Sequence, residues 1–202
     1  MKINQPLINL LGQTDIYLLD QIIKGRYNEN EKILDAGCGE GRNMHWFLQN
    51  GFAISGTDIN ETVIAQLKSA NPDLPTERLQ IAAVENLPFS DNYFDHIISS
   101  AVLHFASNTQ HFKAMLAEMV RVLKTNGSIF IRMTSDIGIE NKARLIADGV
   151  YTIPDSSKRF LITKNLLAES MQENNLTFIE PLKTVNVDDV RCMSTLVLQK
   201  IK

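Results

Sequence analysis

The chain has 202 residues, 44% of them hydrophobic and 21% charged, enough for one domain with a sizeable core. Its formal net charge of -3 leaves no basic footprint, which argues against nucleic acid as the main partner. No stretch reaches the roughly 20 apolar residues of a membrane span. The opening MKINQPLINLLGQTD lacks the long apolar region of a secretory signal. The two cysteines, Cys38 and Cys192, fit no metal or redox spacing. The expectation is a cytoplasmic protein that uses neither a membrane nor a metal.

In chain order, Thr14 is the expected cap of a first helix from Asp15 to Lys24. KILDA (32–36) reads as a buried strand, Arg42 to Gln49 as a helix, and FAISGTD (52–58) as a second strand. Asn60 caps a helix that carries Val63, Ile64 and Leu67 on one face. RLQIAAV (78–84) and DHIISSA (95–101) are the third and fourth strands. Phe112, Met115, Leu116, Met119, Val120 and Leu123 recur at helical spacing, and Lys124-Thr125-Asn126-Gly127 should end that helix with a C-terminal glycine. SIFIRM (128–133) is the fifth strand, followed by a less regular segment over 134–162 and a last helix over 163–173. LTFIEPL (176–182) and RCMSTLVLQK (191–200) close the chain as strands joined by a turn near 186–189.

Short apolar strands alternating with helices predict an α/β fold, a mostly parallel, doubly wound sheet covered on both faces. The final two strands have no helix between them and should form an antiparallel hairpin. We expect one domain over 1–202, with residues 1–30 as an N-terminal helical lid and 134–162 on the substrate side. Ligands of such sheets lie at the carboxyl ends of the strands. That rule places the glycine loop, Asp58, Val84 and Ser100 around one crevice.

The loop ILDAGCGEGRN (33–43) has glycines at Gly37, Gly39 and Gly41. The dinucleotide pattern needs its third glycine one position later, where Arg42 stands, and no Gly-Lys-Ser/Thr of a phosphate loop follows. Asp35, at the strand end and expected to aim at the loop mouth, would repel a diphosphate. A cationic ligand without phosphate removes that difficulty, and S-adenosylmethionine (SAM) is one. Gly37 and Gly39 let the backbone approach the ligand, and Asp35 attracts its ammonium. Asp58 is placed to take both ribose hydroxyls, the alternative being a helix cap beside Asn60. Ile59 would lie on the adenine face.

These residues together resemble the class I SAM-dependent methyltransferases, particularly the methyltransferase type 11 group, from about Ile33 to Met133. ILDAGCGEGRN is similar to the family's cofactor loop, GTDIN to its ribose acid, VENLPFSDNYFDHIISSAVLHF to its adenine loop and fourth strand, and MVRVLKTNGSIFIRM to its helix, turn and fifth strand. The resemblance implies a Rossmann-like seven-stranded sheet and SAM as cofactor. It implies methyl transfer, here to a small-molecule acceptor. The family often has an acid where Ala83 stands, so adenine recognition falls to the backbone at Val84, or to Glu85, which could instead organise its own loop. The turn also lacks the family's usual proline.

Methyl transfer from a sulfonium rests on positioning and water exclusion, with a general base added for some oxygen acceptors. His104 is the first candidate base, or else a pocket wall; His96 and His111 are expected at the surface or in local packing. Tyr17 and Tyr151 either line the acceptor entrance or pack ordinarily. Arg132, Arg159 and Arg191 either meet an anionic acceptor or serve as solvated or paired charges. The competing functions are a SAM-binding sensor without turnover and a short NAD-dependent reductase, the latter disfavoured by Asp35 and by the lack of a Tyr-x-x-x-Lys pair in the later region.

Overall fold

The computed structural model describes residues 5–202; the first four residues of the expected 1–30 lid lie outside them. Helices α1 (Gln5–Leu11) and α2 (Ile16–Ile23) precede β1 (Lys32–Ala36), α3 (His45–Gln49), β2 (Ala53–Asp58), α4 (Glu61–Ala70), β3 (Leu79–Ile81), β4 (Phe94–Ser100), α5 (Thr109–Val122) and β5 (Leu123–Thr134). Three short strands follow, β6 (Arg144–Ala147), β7 (Val150–Thr152) and β8 (Lys158–Phe160), then α6 (Lys164–Glu173), β9 (Leu176–Phe178), β10 (Lys183–Val187) and β11 (Arg191–Lys200). The main sheet runs β10-β11-β5-β4-β1-β2-β3, with β9 also on β11. Strands β1 to β5 pair in parallel, and β11 lies antiparallel to both β5 and β10. This is the expected doubly wound α/β sheet with its terminal antiparallel hairpin, and β11 is inserted beside β5.

Strand alternation builds the two-sided core. Leu34, Ile97 and Ile129 enter one apolar cluster with Met115, Leu116 and Met119 of α5. Their chain neighbours Ile33, Ile98 and Phe130 enter the other, with Phe47 of α3 and Ile64 and Leu67 of α4. Successive side chains of a strand point to opposite faces, so a sheet covered on both sides needs apolar residues at every position.

Several boundaries differ from the sequence expectation. Asp15, not Thr14, caps α2, its carboxylate accepting from the Tyr17 N–H at 2.9 Å. Helix α1 is an additional element. The third strand covers only 79–81. Helix α5 ends at Val122, and β5 begins at once. The left-handed residue of the following turn is Asn126 (φ +66°), not Gly127. Gly127 is required by crowding instead: a Cβ there would lie 2.7 Å from the Asp95 carbonyl oxygen. The expected 176–182 strand is broken around Pro181, which has no N–H for the ladder, so β9 and β10 share one edge of β11.

The segment 134–162 is also more regular than expected, since β6, β7 and β8 form an antiparallel sheet. Phe160 anchors it to the main core. The ring is 0% exposed and stacks on Phe112 of α5 at 5.0 Å. Among the described residues no helix is long and apolar enough to cross a membrane. Phe160→Ala should remove this anchor and lower stability by about 3 kcal/mol, the usual range for a buried phenylalanine, as read by denaturant unfolding.

Candidate functional site

The glycine loop leaves β1 at Ala36 and is hooked to the neighbouring strand at once. The Gly37 and Cys38 N–H groups both donate to the Thr57 carbonyl at 2.8 Å. Gly37 and Gly39 adopt left-handed φ values of +76° and +51°, which residues with a Cβ rarely tolerate. A Cβ on Gly37 would lie 2.5 Å from Val102 Cγ2, whereas one on Gly39 would meet nothing within 4 Å. Gly39 lines an open cavity of about 580 Å3 at the carboxyl ends of the strands.

Asp58, the last residue of β2, sets the far lip of that loop. One carboxylate oxygen accepts from the Gly39 N–H and the other from the Asn60 N–H, both at 2.9 Å. Asn60 in turn caps α4 through the Thr62 and Val63 N–H groups. Asp58 therefore belongs to the cap region and faces the cavity at once. Ile59, Val84, Glu85 and Ser100 line the same cavity, with Gly37 and Gly39. The loop bearing Val84 and Glu85 is held from below by Arg121 of α5, which donates to the Leu87 and Phe89 carbonyls and pairs with Glu118. Glu118 itself accepts from the Leu87 N–H at 2.8 Å.

Asp35 does not stand at the mouth. It is 1% exposed, enclosed because β1 pairs with β2 and β4 at this very position, and its Oδ2 has no hydrogen-bond partner. Burial pushes its carboxyl up to about 7; the Arg42 guanidinium opposes that shift and the Asp58 carboxylate adds to it. The orphaned oxygen and the acid at Asp58 make the loop a poor cradle for phosphate and a fitting one for a cation.

His104 is 7% exposed and lies off the cavity wall, with Nδ1 unpartnered. Burial, then Arg159, then Arg191 lower its pKa to about 4, so the imidazole is neutral. Its neighbour Phe105 occupies the wall. His111, expected at the surface or in local packing, also lines the cavity, with Nε2 3.4 Å from the Glu85 carboxylate. His96 is at the opposite end of β4, bonded to Ser128 and Glu31. Cys38 and Cys192 are buried free thiols. Among the described residues no group of three His, Cys, Asp or Glu could hold a metal ion.

The N-terminal segment is latched over the strand ends. Asp15, buried, accepts from Arg132 Nη1 at 3.0 Å and lies 3.4 Å from the Ser100 hydroxyl. Arg42 donates to Ser100 Oγ at 3.2 Å and reaches within 3.9 Å of Asp15. The Arg132 guanidinium covers the Tyr17 ring at 4.8 Å. Ala101, between Ser100 and Val102, has φ +64° and lines the cavity; left-handed backbone at a non-glycine residue is strain of the kind that collects at functional sites. Gln13, Asn43, Ala101, Val102 and Met115 line the cavity without having been expected there. Met115 belongs to a helical stripe that reads as core; Asn43, Ala101 and Val102 lie inside the quoted motifs without being singled out, and nothing around Gln13 marked it.

The buried carboxyl has a measurable consequence. The unfolded chain releases the Asp35 proton near 3.8, while the folded chain keeps it to about 7. Stability contributed by this group therefore falls as pH rises through that window. Asp35→Asn removes the loss. Its stability relative to the native sequence should rise by on the order of a few kcal/mol between about pH 4 and pH 8, at roughly 1.4 kcal/mol per unit, in urea unfolding series.

A family profile described as a methyltransferase domain matches residues 34–131. A malonyl-[acyl-carrier protein] O-methyltransferase from Erwinia billingiae is 28% identical over 167 residues, 80% of this chain and 61% of that protein. A tRNA (carboxymethyluridine(34)-5-O)-methyltransferase from Arabidopsis thaliana is 33% identical over 99 residues, 49% of this chain and 23% of that protein. The chain thus spans less than two thirds of the length of these curated relatives. The crystal structure of a SAM-dependent methyltransferase from Methanosarcina mazei has the same fold, with a TM-score of 0.70 at 18% identity, covering 89% of this chain and 97% of that one. Sheet order, glycine loop and the match over residues 34–131 agree in likening the chain to the class I SAM-dependent methyltransferases, a family whose cofactor is S-adenosylmethionine.

Proposed function

We propose that this chain transfers a methyl group from SAM to a small-molecule acceptor. The observation that carries the reading is Asp58 facing the cavity while it holds the Gly39 N–H at 2.9 Å. That arrangement offers a carboxylate and an open glycine surface side by side, and no phosphate cradle. In this reading residues 1–202 form one domain, 1–30 its lid and 134–162 its acceptor side. Asp58 takes the ribose hydroxyls, Ile59 and Val84 flank the adenine, and Glu85, with His111 Nε2 3.4 Å from its carboxylate, stands at its edge. Gly39 admits the backbone to close contact, Gly37 lines the site with Val102 packed against it, Ser100 forms the floor beneath Arg42, and Asp35 acts from below the loop.

SAM, when bound, supplies a methyl group already activated by its sulfonium. What the protein adds is orientation and the exclusion of water, which together can supply much of the acceleration. The latch through Asp15 closes the N-terminal segment over the strand ends, which favours a small acceptor, and the negative net charge gives no reason to place a nucleic acid there. For an oxygen acceptor, His104 is the candidate base in this reading, a neutral imidazole off the cavity wall that the acceptor reaches only past Phe105. The expected location is the cytoplasm. A second reading, a SAM-binding sensor without turnover, is favoured by Ala83, which lines the cavity where relatives of this group often carry an acid.

Calorimetry with SAM and with NAD tests the first step. SAM should bind and NAD should not; tight NAD binding alone overturns the reading. Asp58→Ala should weaken SAM binding roughly ten- to a hundredfold, the effect of leaving buried hydroxyls unpaired at about 1–3 kcal/mol. Release of S-adenosylhomocysteine with an acceptor panel separates the enzyme from the sensor.

A further inference from the structure

Charge is unevenly distributed around the cavity. On the cofactor side stand Asp58, Glu85 and, beneath the loop, Asp35. Of the guanidiniums nearby, Arg42 lines the cavity and Arg159 adjoins it through Phe105. Arg42 and Arg132 share the single carboxylate of Asp15. Arg191 reaches Asp155 only at 3.8 Å. Arg159 has no carboxylate within ion-pair distance among the described residues; its Nη1 donates to the Lys158 carbonyl at 2.8 Å. The Arg159 guanidinium lies 5.1 Å from the centre of the Phe105 ring. Phe105 is 63% exposed, large for an aromatic side chain, and it lines the cavity.

This position is built by the fold. Arg159 lies on β8, whose next residue is the buried anchor Phe160, so the strand cannot drift from the main core. Pairing of β7 with β8 sets Arg159 opposite Tyr151. Phe105 comes from the turn just after β4. An aromatic side chain of the cavity wall and a planar cation with no carboxylate within ion-pair distance among the described residues therefore lie side by side; the Asp155 carboxylate feels Arg159 only from farther off. A guanidinium fork matches a carboxylate in shape and charge better than a point cation does.

We propose that the methyl acceptor is a carboxylate-bearing molecule with an apolar or aromatic body, its carboxylate held by Arg159 and its body laid on Phe105. The proposal rests on the methyltransferase reading and supplies the substrate class that reading leaves open. Arg159 is a binding and specificity residue here, not a base.

The test uses a matched pair of probes, 4-hydroxybenzoate and 4-hydroxybenzamide, titrated by calorimetry into the full chain loaded with S-adenosylhomocysteine. The acid should bind at least about tenfold more tightly than the amide, and its affinity should fall with added salt. Arg159→Gln should erase the preference and leave S-adenosylhomocysteine affinity unchanged, while Arg159→Lys should keep part of it. Equal binding of the two probes, no binding of either, or a preference that survives Arg159→Gln each overturns the proposal. Failure of S-adenosylhomocysteine to bind the native chain would instead count against the methyl-donor reading. The acid-to-amide comparison without that ligand would still decide the role of Arg159.

Discussion

The cavity takes its form from the two hydrogen bonds that Asp58 accepts. Each carboxylate oxygen holds one backbone N–H, that of Gly39 on one side and that of Asn60 on the other. Because Asp58 ends a strand paired in parallel with both β1 and β3, its position is as rigid as the sheet. The glycine loop is tied to the same strand a second time through the Thr57 carbonyl. Loop, strand end and the start of α4 thus behave as one unit, and the open face of Gly39 is presented at a fixed distance from an acid. Charge-assisted hydrogen bonds to backbone donors are among the stronger ones available to a half-exposed side chain.

Asp35 plays the opposite part. It is a buried carboxyl with no protein donor to Oδ2, and burial raises its pKa to about 7 in the folded chain. Burying such a group costs stability unless something else favours the site. A cationic ligand above the loop is the natural compensation, since a positive charge nearby favours the ionised form. The strain at Ala101 sits at the edge of the same cavity, at the end of β4.

The N-terminal segment and the β6–β8 sheet are attached to the main sheet by different means. The first is polar: a buried Asp15, two guanidiniums and the Ser100 hydroxyl form a connected group in which removal of one member strands the others. The second is apolar, with Phe160 stacked on Phe112 and a small satellite core of Ile139, Ile153, Leu161 and Cys192. A polar latch can exchange its partners for water at modest cost, whereas an apolar anchor cannot.

The repeated apolar strands and intervening amphipathic stripes were enough to determine a doubly wound sheet with a final hairpin, because period-2 and period-3.6 patterns record which faces are buried. The glycine spacing and Asp58 likewise marked the crevice, since loop chemistry there is local in the chain. Local signals could not tell that Asp35 is enclosed on both sides, because enclosure comes from β2 and β4 pairing around it. They could not bring His111 to Glu85, or Arg159 to Phe105, for those pairs are 26 and 54 positions apart and meet only when α5 and β8 pack. The turn after α5 shows the same division: glycine was readable as necessary, but its reason, the nearness of the Asp95 carbonyl, belongs to the packed molecule. Periodicity and turn chemistry are properties of neighbours along the chain; burial, pKa and the pairing of distant charges are properties of neighbours in space.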